Sequence, residues 1–379
     1  MWKGSKGMEK VLSSHVGVKI NEWYKMIRQF SVPDAEILKA EVEQEIERME
    51  EDQDLLIYYQ LMCFRHQLML DYIKPSEQRS LSIADLVDKI ENSNHKLSGM
   101  LQYYNAFFRG MYEFSIKEYV QAIQYYKVAE KQLTLVIDDI EQAEFHFKVA
   151  EAYYIMKQTH VSMHHILKAL EIYDQYDLYK VRKIQCLFVI AGNYDDLARH
   201  DKSIPHLKNA IKIAEEIGDQ KILTKALLNI GHTFDRDGQW AEAISYFEKG
   251  IQKANNDSEL LTKLYFAISC TQFKAGRIKE GEASLKQGNY ILEKAPNKLY
   301  ENLFNFLEAV YVNNINEEQL AEVFQYLEQK QLFAYAEACY IVYADEYGKQ
   351  GQFEEATAAY QKVLETQLKI QRGDCLYDF

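Results

Sequence analysis

Apolar and polar positions in this chain fall into helical stripes, and a longer period runs above the stripes. Small residues return every 38 to 41 residues, at Gly110, Ala150, Ala191, Gly231 and Ser269, and again two periods later at Ala344. The clearest copy reads Gly231, Phe234, Gly238, Ala243, Phe247, Gly250, and the last reads Ala344, Tyr347, Gly351, Ala356, Tyr360, Val363. A small residue lets two helices cross closely, and an aromatic one fills the space that the crossing leaves. The period therefore predicts stacked helical hairpins, an all-α solenoid. The concave wall of such an array suits an extended peptide or a protein.

The first part of the chain has stripes without the long period. Ile20, Trp23, Tyr24 and Ile27 predict a helix over about 17–30. Pro33 fits the first turn of a second helix, over about 34–50, with Ile37, Leu38, Val42, Ile46 and Met49 apolar. A third begins near Leu55 and stays densely apolar through Leu70, and Lys74-Pro75-Ser76 closes the unit. The expected organisation is a three-helix bundle over 1–74, a linker with a short helix over 75–96, and an array over 97–379. The array holds about seven tetratricopeptide-like (TPR) repeats, the sixth, near Leu307, degenerate. The polar tail from Arg372 is expected to fray.

Composition agrees with helix: 4 Pro and 16 Gly stand against 47% hydrophobic residues. A net charge of −13 argues against binding nucleic acid or anionic membrane and suits a basic patch on a protein partner. The five cysteines are widely spaced with no CxxC pair, which fits a reducing, cytoplasmic setting. Met1 to Lys10 lacks the apolar core of a signal peptide, and Met8 can be the natural start, with the first seven residues an extension. No apolar run reaches the roughly 18 residues of a membrane span.

Enzyme signatures are few: no Walker A loop, GxGxxG, GxSxG or HExxH occurs. His160 and His164 are spaced for one metal but have no third ligand beyond His165, so no metal site is expected. From Glu41 to Asp54 eight acidic residues are balanced by Arg48 alone. That run reads either as a solvated helix face, with Asp52 capping the third helix, or as a docking surface for a basic partner. Gln53 sits inside it. A glutamine amide can accept a hydrogen bond from water while donating to a phosphoryl oxygen, which aims the water at phosphorus; otherwise Gln53 is polar surface. In the array, Asn193 and Asp196 in one repeat and Asn229 and His232 in the next recur at one phase, either facing the groove as peptide ligands or facing water.

Several segments carry a family resemblance. Lys19-Ile20-Asn21-Glu22-Trp23-Tyr24, Met49-Glu50-Glu51-Asp52-Gln53-Asp54-Leu55-Leu56 and Phe64-Arg65-His66-Gln67-Leu68-Met69-Leu70 resemble the Rap family of Bacillus response-regulator aspartate phosphatases. So do Phe108-Arg109-Gly110-Met111-Tyr112-Glu113-Phe114 and Lys157-Gln158-Thr159. The resemblance covers almost the whole chain. It implies a bundle that docks a phosphorylated receiver domain of the sporulation phosphorelay, and a TPR array that binds a short inhibitory Phr peptide. The catalytic glutamine falls on Gln53, and regulator docking on Glu51, Asp52, Leu56 and Phe64. The peptide anchors fall on Asp196 and Asn229. Asn305 stands where some members carry an acid, so the cognate peptide is expected to differ or to bind more weakly. No cofactor is expected in this chain, because the receiver domain supplies Mg2+. The alternative within the family is a non-enzymatic protein that sequesters a DNA-binding response regulator and blocks its access to DNA.

Overall fold

Within the acidic run, Asp52 accepts the backbone N–H of Leu55 on its Oδ1 at 3.1 Å, and the third helix starts at the next residue. The structure, a computed structural model, describes residues 10–73, 99–313 and 315–370; the expected linker, polar tail and N-terminal extension lie outside the described residues. The bundle helices are α1 (Ser13–Arg28), α2 (Val32–Ile46) and α3 (Gln53–Ile73). They match the three expected from periodicity, with ends shifted by a few residues. Trp23 is fully buried between them, and its indole N–H donates to His66 Nδ1 at 3.1 Å. The stripe read for the second helix holds less well. Only Ala35 and Val42 of α2 are buried, and Ile37 is 58% exposed. A helix packed along one narrow edge leaves part of its apolar set in water.

Fourteen further helices follow among the described residues. They are α4 (Gly99–Ser115), α5 (Tyr119–Glu130), α6 (Asp139–Ile155), α7 (Thr159–Tyr173), α8 (Lys180–Asp196), α9 (His200–Ile217) and α10 (Gln220–Arg236). After these come α11 (Trp240–Lys253), α12 (Ser258–Lys274), α13 (Ile278–Lys294), α14 (Lys298–Leu307), α15 (Glu317–Gln329), α16 (Phe333–Lys349) and α17 (Phe353–Ile370). Neighbours along the chain pair as antiparallel hairpins, so the fold is all-α with a TPR-like array. The chain parts into two compact units, Met1–Phe145 and His146–Phe379.

The hairpins share one turn. Its central residue is left-handed at Lys117, Lys157, Ala198, Gly238, Gly276 and Gly351. The N–H that follows reaches back five residues: Glu118 to Glu113, Gln158 to Tyr153, Arg199 to Tyr194, Gln239 to Phe234, Arg277 to Gln272 and Gln352 to Tyr347, all within 2.8–3.0 Å. This is the Schellman closure, which satisfies the last carbonyls of one helix and aims the chain into the next. The crossings follow the expected rule of small against aromatic. A Cβ added at Gly231 would lie 2.3 Å from the ring of Phe247, and one at Gly110 2.4 Å from Tyr126. The degenerate sixth copy is the irregular one: α14 is 10 residues long and runs into a π-turn over Glu308–Val312.

Candidate functional site

The bundle presents Gln53 at the first position of α3, exposed, with exposed Glu51 and Asp54 on either side and Asp52 half-buried as the cap. Capping fixes the first turn of the helix and with it the direction in which the Gln53 side chain leaves the surface. Beside it opens a cavity of about 430 Å³ lined by Asn21, Asp52, Asp54, Leu55, Tyr58 and Tyr104, among others. Its wall is ordered: Tyr58 Oη donates to Asn21 Oδ1 at 2.7 Å, and the Tyr58 and Tyr104 rings lie 5.5 Å apart.

The acidic run divides. Lys19 Nζ bridges Glu41 at 2.9 Å and Glu45 at 2.7 Å, tying α1 to α2, and Glu43 accepts from Tyr59 Oη at 3.1 Å. These acids hold the bundle together, although Glu41 and Glu43 are themselves exposed, as are Glu47, Glu51 and Asp54. Leu56 is half-buried. Phe64, expected on the docking surface, is only 1% exposed and packs 6.2 Å from Tyr112 by ring centroids, so this conformation does not present it.

In the second unit the candidate peptide ligands separate by environment. Asp196 closes α8; its Oδ1 takes Lys157 Nζ at 2.7 Å, and its buried Oδ2 has no hydrogen-bond partner. A buried carboxylate oxygen without a donor is costly and invites one. Asn229 is half-buried on α10, and Asn305 is exposed on α14. Asn193 is fully buried instead of facing a groove, because its Nδ2 donates to Ser162 Oγ at 2.9 Å and Ser162 donates to the Ala150 carbonyl. His232 lies edge-on to Phe247, 5.4 Å between centroids, and burial lowers its pKa to about 4, so it is neutral near pH 7. His160 and His164 are exposed, and the buried ring of the trio, His165, pairs with His146 at 2.9 Å between Nδ1 atoms.

A ladder of acids escaped the sequence reading. Asp195 accepts from Thr233 Oγ1 at 2.7 Å and lies 3.0 Å from His200 Nδ1, and Asp235 accepts from Thr271 at 2.9 Å and from Lys274 at 2.6 Å. With Lys157 and Asp196, the threonine and lysine bonds join the end of one hairpin's first helix to the neighbouring hairpin, and the His200 contact lies within a hairpin. The signal was present, since Asp195 and Asp235 stand 40 residues apart, one repeat.

Comparison with known proteins shows the family. Residues 10–71 match the family profile of response regulator aspartate phosphatase H, N terminal, and residues 187–256 and 337–369 match tetratricopeptide repeat profiles. The chain is 52% identical over 374 residues to response regulator aspartate phosphatase H of Bacillus subtilis (strain 168), covering 98% of this chain and 100% of that one. It is 45% identical to response regulator aspartate phosphatase A of the same strain, covering 98% and 99%. The crystal structure of a Rap protein complexed with competence and sporulation factor superposes with a TM-score of 0.84 at 36% identity, covering 95% of this chain and 99% of that one. With identity at this level along the full length of both chains, the protein belongs to the Rap family of response regulator aspartate phosphatases.

Proposed function

We propose that this protein hydrolyses the aspartyl phosphate of a response-regulator receiver domain of the sporulation phosphorelay, and that a short Phr-type peptide bound along the array inhibits it. The observation that carries the reading is the placement of Gln53, exposed at the capped start of α3 between two exposed acids. The Gln53 carbonyl accepts a hydrogen bond from water, and its NH2 donates to a phosphoryl oxygen. Water attacks phosphorus in line, the bond to the aspartyl oxygen breaks, and aspartate and inorganic phosphate leave. The receiver domain brings its own Mg2+ and lysine to neutralise the transition state, so this chain contributes docking and the orientation of water. Glu51, Asp52 and Leu56 form the docking edge, and the acids meet basic residues of the partner.

The peptide anchors are Asp196 and Asn229. The unpartnered Oδ2 of Asp196 supports the first, and the relative solved with competence and sporulation factor supports a peptide ligand for this fold. The protein works in the cytoplasm, a setting that fits the free thiols of Cys270 and Cys339. No described helix is long and apolar enough to cross a membrane.

The test is loss of labelled phosphate from a phosphorylated single-domain sporulation regulator, comparing the parent with Gln53→Ala. Rapid loss with the parent, and a rate lower by on the order of 100-fold with the variant, supports the reading. No acceleration by the parent overturns it and turns attention to sequestration of a DNA-binding regulator.

A further inference from the structure

Lys221, Lys225 and Lys263 stand near the starts of α10 and α12, close enough to act on one another. Helix α10 is flanked by α8 and α12 and backed by α9 and α11. Between Leu223 and Phe234 its residues that are not buried are Lys225, Asn229 and His232, four and then three apart. That spacing puts them on one stripe, and because neighbouring helices cover the rest, the stripe faces the groove. Lys221 and Arg236 extend it by a turn at either end. Asn229, read above as a peptide anchor, therefore shares its face with Lys225, about 6 Å further up the helix.

The charges on this stretch of wall do not balance. Lys221 Nζ pairs with Asp257 at 3.4 Å, and Lys263 Nζ pairs with Glu259. Arg236, at the far end of the stripe, lies 3.8 Å from Asp195. Lys225 has neither an ion pair nor a hydrogen bond among the described residues. Desolvation against the wall, then Lys221 and Lys263, lower its pKa, and Glu259 and Asp257 oppose them more weakly. The Asn229 side-chain amide makes no hydrogen bond either among the described residues.

An ammonium set beside two others gains much from an anion, since a carboxylate there relieves repulsion and also forms a charge-assisted bond. An amide one turn away can donate to and accept from a peptide backbone. Together the two groups fit a chain end, because in a linear peptide the terminal carboxylate follows directly on backbone amides. We propose that Lys225 holds the C-terminal carboxylate of a linear peptide whose last backbone amides lie along Asn229, with Lys221 and Lys263 adding to the field. The proposal rests on the reading of the array as a peptide receptor and is independent of phosphate hydrolysis. Such a site takes a free peptide end and turns away a loop of a folded protein, which has none.

Affinity selection on the full chain tests it. The probe is a synthetic pool of short random linear peptides, prepared once with free carboxyl ends and once as C-terminal carboxamides. Peptides that stay with the protein through gel filtration are identified by mass spectrometry and remade in both forms for titration calorimetry. The parent should bind the free acid about tenfold or more tightly than its carboxamide. Lys225→Gln should weaken the acid to the carboxamide's Kd and leave the carboxamide unchanged, while Lys225→Arg keeps most of the difference. Lys225 is exposed, so neither change disturbs the core. Equal Kd for acid and carboxamide in the parent overturns the proposal, as does Lys225→Gln weakening both alike, and in either case the array still binds peptide. Selected peptides that depend on an internal Asp or Glu, with the end group immaterial, give Lys225 to a side chain and overturn it as well. If the parent retains peptide from neither pool, the peptide reading of the array falls and the proposal with it.

Discussion

Asp52 Oδ1 accepts the N–H of Leu55, and that one bond leaves Gln53 standing at the exposed start of its helix. Asp52 thus has two separable duties, cap and charge. Asp52→Ala removes both and should cost about 1 kcal/mol of stability and lower hydrolysis, as the first turn frays under Gln53. Asp52→Asn keeps the cap. It should unfold within about 0.5 kcal/mol of the parent in urea and raise KM for the phosphorylated receiver with little change in kcat. Equal KM in parent and Asn variant would remove the charge of Asp52 from docking.

Two helical glycines should respond with opposite signs to alanine. Alanine is ordinarily favoured over glycine inside a helix by about 1 kcal/mol. Gly348 has nothing within 4 Å of an added Cβ, so Gly348→Ala should stabilise by about 0.5–1 kcal/mol. At Gly231 the same Cβ meets the Phe247 ring at 2.3 Å, and overpacking of about 1–3 kcal/mol outweighs the gain. Urea midpoints of the two variants check the pair, and Phe247→Leu should recover part of the loss in Gly231→Ala.

Asp196→Ala should separate stability from regulation. Its ion pair with Lys157 is worth about 0–1 kcal/mol, because Lys157 is 31% exposed. Peptide recognition should fall far more. Titration calorimetry with a synthetic peptide that inhibits the parent checks this: an unchanged Kd in Asp196→Ala and Asn229→Ala would dismiss both as anchors.

The His146–His165 pair should make the protein labile in acid. Burial, reinforced by Lys168 and His164, holds His146 at about 4, and burial and then His146 hold His165 at about 3. Unfolded, each histidine titrates near 6.5. The folded chain therefore binds fewer protons than the unfolded chain in this range, so this contribution to stability is lost as pH falls from about 6.5 towards 4 and 3. Tm against pH should slope down over that window. His146→Phe/His165→Leu, which removes both titrations, should flatten the slope.

The repeat was legible in the sequence because its physics is local. A small residue and an aromatic one, set one hairpin apart, must meet wherever two helices cross, as Gly231 and Phe247 do. The helix start at Gln53 was legible from Asp52 as its cap. Burial decided by distant partners was not. Glu141 reads as one more acid in Asp138-Asp139-Ile140-Glu141, yet Tyr24, Arg28 and Tyr103, 117, 113 and 38 residues away, draw it inside. Asn193 was misread for the same reason, since Ser162, 31 residues earlier, turns it into the seam between repeats. Ile37 shows the reverse error, an apolar residue with no neighbour to cover it.

The repeated Schellman turn has a mechanical consequence. Six of the hairpins are closed at the tip by a bond of 2.8–3.0 Å around a left-handed residue, so the angle within each of them is set by covalent geometry and one short bond. The compliance of the array then resides between hairpins, in side-chain contacts such as Asp196 with Lys157 and Asp235 with Lys274. A chain of stiff links with soft joints bends by adding small rotations. A ligand spanning several joints therefore gains leverage that no single contact supplies.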